Sequence, residues 1–117
     1  MKVDIDVVPS TMEQAVGLLL EGLAPEDRTF IAENNSSVLH GTVGRAMRNS
    51  WSLWDPTMPL ATWFRRNLGL GHADDMSAIL LEALWCRVLG REHALQEQVE
   101  EFKLHWELQG QDPAFRP

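Results

Sequence analysis

The sequence predicts an all-α fold: a compact single-domain bundle of five to six helices around a central apolar helix at about residues 73–89, with a short extended N-terminal arm. Three observations lead there. Apolar residues recur at helical spacing through most of the chain. Only residues 2–8, KVDIDVV, alternate as a half-buried strand does, and no second such stretch exists to pair with them. The segment 73–89 is apolar on most sides, which suits a helix in the middle of a domain. The chain has 117 residues and 44% of them are apolar, enough for one hydrophobic core.

Taken in order, residues 1–9 read as an extended arm, 10–109 as the helical domain and 110–117 as a loose tail. Ser10 and Glu13 match a capping box, followed by Met12, Val16, Leu19, Leu20 and Leu23 at helical spacing, so a first helix runs from about Thr11 to Glu21. Pro25 suits a helical first turn, and Glu26 and Asp27 complement its dipole; this second helix ends near Asn34-Asn35. Ser36 or Ser37 caps a third helix from Val38 to Asn49 or Ser50, with Leu39, Val43, Ala46 and Met47 as its stripe. Gly41 and Gly44 inside it imply close approach by a neighbouring helix or an aromatic ring, because each costs about 1 kcal/mol against alanine.

DPTMP is turn chemistry, and a short helix from Pro59 carries Leu60, Trp63, Phe64 and Leu68 before Gly69 stops it. Asp74 and Asp75 fall in the first turn of the central helix, and Gly90 ends that helix. The last helix, from about Arg91 to Leu108, shows a stripe of Leu95, Val99, Phe102 and Trp106 with acids opposite. Cys86 is the one cysteine, so neither an internal disulfide nor a cysteine-based zinc site can form. It reads as a small buried hydrophobe.

No apolar run reaches the roughly 18 residues of a membrane span. The start, MKVDIDVV, lacks the basic and long apolar regions of a signal peptide, so a cytosolic protein is expected. The net charge of −7 is unevenly spread: residues 1–33 carry −5, residues 34–91 carry +2 and residues 92–117 carry −4. That balance argues against direct nucleic-acid binding, which needs clustered Lys and Arg. It allows approach to a protein partner with a basic, nucleic-acid-binding surface.

Chemistry-bearing residues gather in two stretches. His40, Gly44 and Arg48 are four apart on the third helix, followed by Asn49, Trp51 and Trp54; His72, Asp74, Asp75 and Ser77 open the central helix. A guanidinium facing a tryptophan-rich interior needs a carboxylate. Arg48 is therefore expected to meet Asp74 or Asp75 as a latch, with Trp51 and Trp54 covering the contact and excluding water. The same residues could instead form a pocket for an anion, a metal or a small polar ligand. No H-E-x-x-H, phosphate loop or G-x-S-x-G is present, so no cofactor is implied and enzyme function has little support. Trp63 with Arg65 and Arg66 is a candidate partner surface, since tryptophan and arginine dominate interaction hot spots.

The stretch LHGTVGRAMRNSWSLW, followed by DDMS, resembles the pattern L-H-x-x-x-G-x-x-x-R-N-x-W-x-L-W … D-D-M-S of a small uncharacterised family of bacteria and their phages. The resemblance covers about residues 10–106 and supplies no activity. It implies a phage or prophage setting, where small acidic proteins bind and modulate host machinery, anti-defence (anti-CRISPR-like) roles included. The leading expectation is a non-enzymatic module binding a protein partner. The alternatives are a ligand- or metal-binding domain built on His40, Arg48, Asn49, Asp74 and Asp75, and a homo-oligomer held by an apolar helix face or the arm.

Overall fold

The computed structural model describes residues 7–115. Among them six α-helices form and no strand does: α1 (Met12–Glu21), α2 (Pro25–Glu33), α3 (Val43–Ser50), α4 (Pro59–Leu68), α5 (Ala73–Leu89) and α6 (Leu95–Leu108), with a 3-10 turn at Ser36–Leu39. The arm expected at residues 1–9 lies outside the described residues except for 7–9, which are not helical; Pro9 is buried there.

The helix ends follow local chemistry. At α1 the capping pair sits one residue later than expected: Thr11 Oγ1 accepts from Gln14 N at 3.1 Å, and Gln14 Oε1 accepts from Ser10 N at 2.9 Å. At α2, Pro25 takes the first position and Ala24 N donates to Asp27 Oδ2 at 2.8 Å. That backbone bond holds the Asp27 carboxyl below its ordinary range. Gly69 and Gly90 cap α4 and α5 in the left-handed conformation, with φ of 68° and 66°, where a side chain is disfavoured.

The expected third helix is two pieces. The chain makes the 3-10 turn, breaks at His40–Thr42, and restarts as α3. The turn is fixed from outside: Trp85 Nε1 on α5 donates to Asn34 O at 2.8 Å, and Ser36 Oγ donates to the Glu82 carboxylate. Gly41 has open space about it. At Gly44 the close neighbours are the Arg48 guanidinium and Leu81, not an aromatic ring.

Helix α5 contacts every other helix and the 3-10 turn. Its Met76, Ile79, Leu80, Leu84 and Trp85 meet Leu19 of α1, Ile31 of α2, Met47 of α3 and Phe64 of α4 in one core cluster. The radius of gyration, 13.8 Å, is close to the value of about 13 Å expected for a compact domain of this length. This is a single all-helical bundle. Among the described residues no helix is long and apolar enough to cross a membrane.

The tail departs from the expectation of looseness. Gly71 N donates to Pro113 O at 2.9 Å, Arg65 Nε donates to Ala114 O at 3.1 Å, and Ala114 is buried. Phe115 packs against Trp106 and His72, with ring centroids at 4.9 and 5.4 Å. Residues 111–115 thus strap the α4–α5 corner to α6.

Candidate functional site

The polar residues singled out by the sequence converge on the first turn of α5. His72 is its N-cap, accepting from Asp74 N through Nδ1 at 3.2 Å. That role leaves the ring proton on Nε2 in the neutral form. Asp74 is thereby held where Arg48 can reach it: Arg48 Nε lies 3.2 Å from Asp74 Oδ1. The other end of the guanidinium, Nη1, donates to Ser77 Oγ at 2.8 Å and to His40 O at 3.4 Å, and Ser77 Oγ donates to Asp74 O at 3.1 Å. His40 Nε2 stands 4.0 Å from the same Asp74 oxygen.

Arg48 can lie along its helix because residue 44 has no side chain. A Cβ there would be 3.0 Å from Nη1. The guanidinium bridges one carboxylate and one hydroxyl instead of gripping a single carboxylate at two points, so it has lower angular specificity than a bidentate pair. The Arg48 side chain is 16% exposed and that of Asp74 54% exposed. Water therefore reaches the joint from the acidic side.

Asp75 serves a different joint. It is buried and turned toward α6, where Trp106 Nε1 donates to Oδ2 at 2.8 Å. Burial raises its carboxyl above the ordinary range, and the indole bond opposes the rise without cancelling it. His72 stacks on Trp106 with centroids 4.8 Å apart, joining the two carboxylates' surroundings through one ring. A cleft of about 510 Å³ between α5 and α6 is bounded by His72, Asp74, Asp75, Phe102 and Trp106.

The tryptophans do not seal the latch. Trp51 is 0% exposed and belongs to the core, its indole Nε1 without a hydrogen-bond partner among the described residues, whereas Trp54 is 63% exposed. The turn between them decides this: Ser52 takes φ 46°, Leu53 N returns to Arg48 O at 3.0 Å, and Leu53 becomes the next buried residue. Asn49 is on the surface of α3, outside the cluster.

The surface expected around Trp63 is also reduced. Trp63 is half-buried, edge-on to Phe64 at 5.3 Å. Arg65 folds inward to Ala114 O and to Gly71 O, the latter at 3.2 Å, which leaves Arg66 as the exposed member of the pair. Among the described residues no group of three or more His, Cys, Asp or Glu is arranged to hold a metal ion. Trp106 and Phe115 were missed as site residues. The one signal for Trp106 was its place on the apolar stripe of the last helix, and Phe115 had none.

Residues 8–88 match the sequence profile of a domain of unknown function, DUF6794. No curated protein and no solved structure matches the chain. The Arg48–Asp74–Ser77 latch falls wholly within the matched span, and α6 with the tail falls beyond it. Because the match takes in more than half of the chain, the protein belongs to the DUF6794 family.

Proposed function

We propose that this protein is a small acidic interaction module, non-enzymatic, that binds a protein partner by inserting Trp54 into an apolar pocket with a basic rim. The observation that carries the reading is the placement of Trp54. It is 63% exposed although Trp51 and Leu53, on either side of Ser52, are 0% exposed. An indole exposed on anchored backbone suits a hot spot, since the main chain beneath it has little freedom left to lose on binding. The far side of the turn is fixed as well: Thr57 N and Oγ1 both donate to Asp55 Oδ1, at 2.9 and 2.7 Å.

Charge supplies the partner's character. The chain carries −7, and α6 exposes Glu97, Glu100, Glu101 and Glu107. Such a surface speeds encounter with a basic protein and repels nucleic acid itself. In the phage setting that the L-H-x-x-x-G-x-x-x-R-N-x-W-x-L-W resemblance implies, the partner is a nucleic-acid-binding component of a host complex. The pocket alternative is weaker because Arg48 and Asp74 bond each other, Asp75 faces α6 and Asn49 stands apart.

The test compares immobilised wild-type protein with the Trp54→Ser variant in a bacterial lysate at low and high salt. A partner enriched by the wild type, weakened about 30-fold by the substitution and shed at high salt is the expected result. Equal capture by the variant, or no capture at either salt, overturns the reading. Unfolding in urea at the wild-type midpoint checks that the variant is folded, as the exposure of Trp54 leads one to expect.

A further inference from the structure

A second surface, away from the latch and from Trp54, is a groove of about 460 Å³ where α1, α4 and the end of α5 meet. Its walls are Met12, Val16, Trp63, Ala83 and Cys86. Val16, Ala83 and Cys86 belong to the buried set, and Trp63 is half-buried, so the groove cuts into the core's edge. That volume lies within the range of about 300–1,000 Å³ typical of small-molecule sites.

The mouth has an unusual charge for so acidic a protein. Arg87 and Arg91 line it and are exposed. Neither of these arginines belongs to an ion pair among the described residues. Glu13 is the one carboxylate on the lining, and the adjoining cleft that shares Arg91 is bordered by Glu82, Glu92, Glu97 and Glu101, so Arg87 is the arginine that belongs to this groove alone. The end of α5 contributes only partial negative charge, about half an elementary charge, which two guanidinium groups outweigh. Burial pushes the Cys86 thiol up, so that wall is neutral.

We propose that this groove binds a single-chain carboxylate, a medium-chain fatty acid in class, with the alkyl chain along Trp63 and Val16 and the carboxylate on Arg87 and Arg91. An apolar trough takes the chain by removing its methylenes from water. A guanidinium group is the natural receptor for the carboxylate head. Neither Trp54 nor the acidic face of α6 takes part, so this proposal stands or falls apart from the protein-partner reading.

Decanoate is the probe, titrated below its micellar concentration while the Trp63 indole N–H resonance is followed by NMR. The expected result is a saturable shift of that resonance. Binding should weaken at least tenfold in the Arg87→Gln/Arg91→Gln double variant and for decanol, which has the chain without the charge. Both arginines are exposed, so the double variant keeps the fold, and its urea midpoint confirms it. Absence of a saturable shift, or equal affinity for decanol or in the double variant, overturns the proposal.

Discussion

Arg48 brings its charge across the start of α3 to a carboxylate that stands half in water, and this exposure limits what the ion pair contributes. An exposed pair is worth up to about 1 kcal/mol. The bond to Ser77 adds to it, because Ser77 is 0% exposed and loses its charged donor when the arginine goes. Arg48→Met keeps most of the aliphatic packing and removes the bonds to Asp74, Ser77 and the His40 carbonyl. The expected loss is about 1–2 kcal/mol in urea unfolding, and Asp74→Asn should cost less than about 1 kcal/mol. An unchanged midpoint for Arg48→Met would remove the latch from the account of stability.

Asp75 works in the opposite sense. Its folded-state carboxyl titrates above the unfolded one, so the folded protein binds the extra proton in the window between the two values. Stability from this group is present below the unfolded value and is lost as pH rises through the folded value. Asp75→Asn keeps an acceptor for Trp106 Nε1 and removes the buried charge. It should raise the urea midpoint at neutral pH, and the difference from wild type should shrink on acidification toward the ordinary carboxylate range. A variant less stable than wild type at neutral pH would mean that the ionised form is the one the site favours.

At the scale of elements, the joints made by side chains were legible and those made by main chain were not. Pro25 and Pro59 at helix starts, and Gly69 and Gly90 at helix ends, mark α2, α4 and α5 almost to the residue. The meeting of Arg48 with the start of α5 followed from charge alone. The break at His40–Thr42 did not, because Leu39 and Val43 keep the helical spacing across it; the 3-10 turn that precedes it is held through bonds to Trp85 and Glu82 on another helix. Trp51 and Trp54 differ in burial only through the turn at Ser52, which has no marker in the sequence. The tail strap has no marker in the sequence because its bonds end on the carbonyls of Pro113 and Ala114. Gly71 is its most exacting residue: a Cβ there would stand 1.9 Å from Ala114 O, a backbone atom that can yield only if the strap lifts. Gly71→Ala should therefore release residues 111–115, seen as faster proteolysis near the C-terminus and a stability loss of about 1–3 kcal/mol. A tail cut no faster than in wild type would show that the strap shifts without detaching.

Across the whole molecule, burial is graded from the middle outward. In α5 ten of 17 residues are buried, while in α6 only Val99 of 14 is. No part of α5 can open without taking apart the cluster that holds α1, α2, α3 and α4 together. Helix α6 can leave by exposing Val99, the half-buried Leu95, Phe102 and Trp106, and the bond to Asp75. Amides from Ile79 to Leu84 should then exchange with deuterium only through global unfolding, at the free energy read in urea, and those of α6 through a cheaper opening. Trp106→Phe removes the bond to Asp75 and should speed exchange in α6 while changing α5 little by comparison. Protection in α6 equal to that in α5 would mean that the bundle opens as one unit, with the strap and the indole bond binding its last helix as firmly as the core binds the rest.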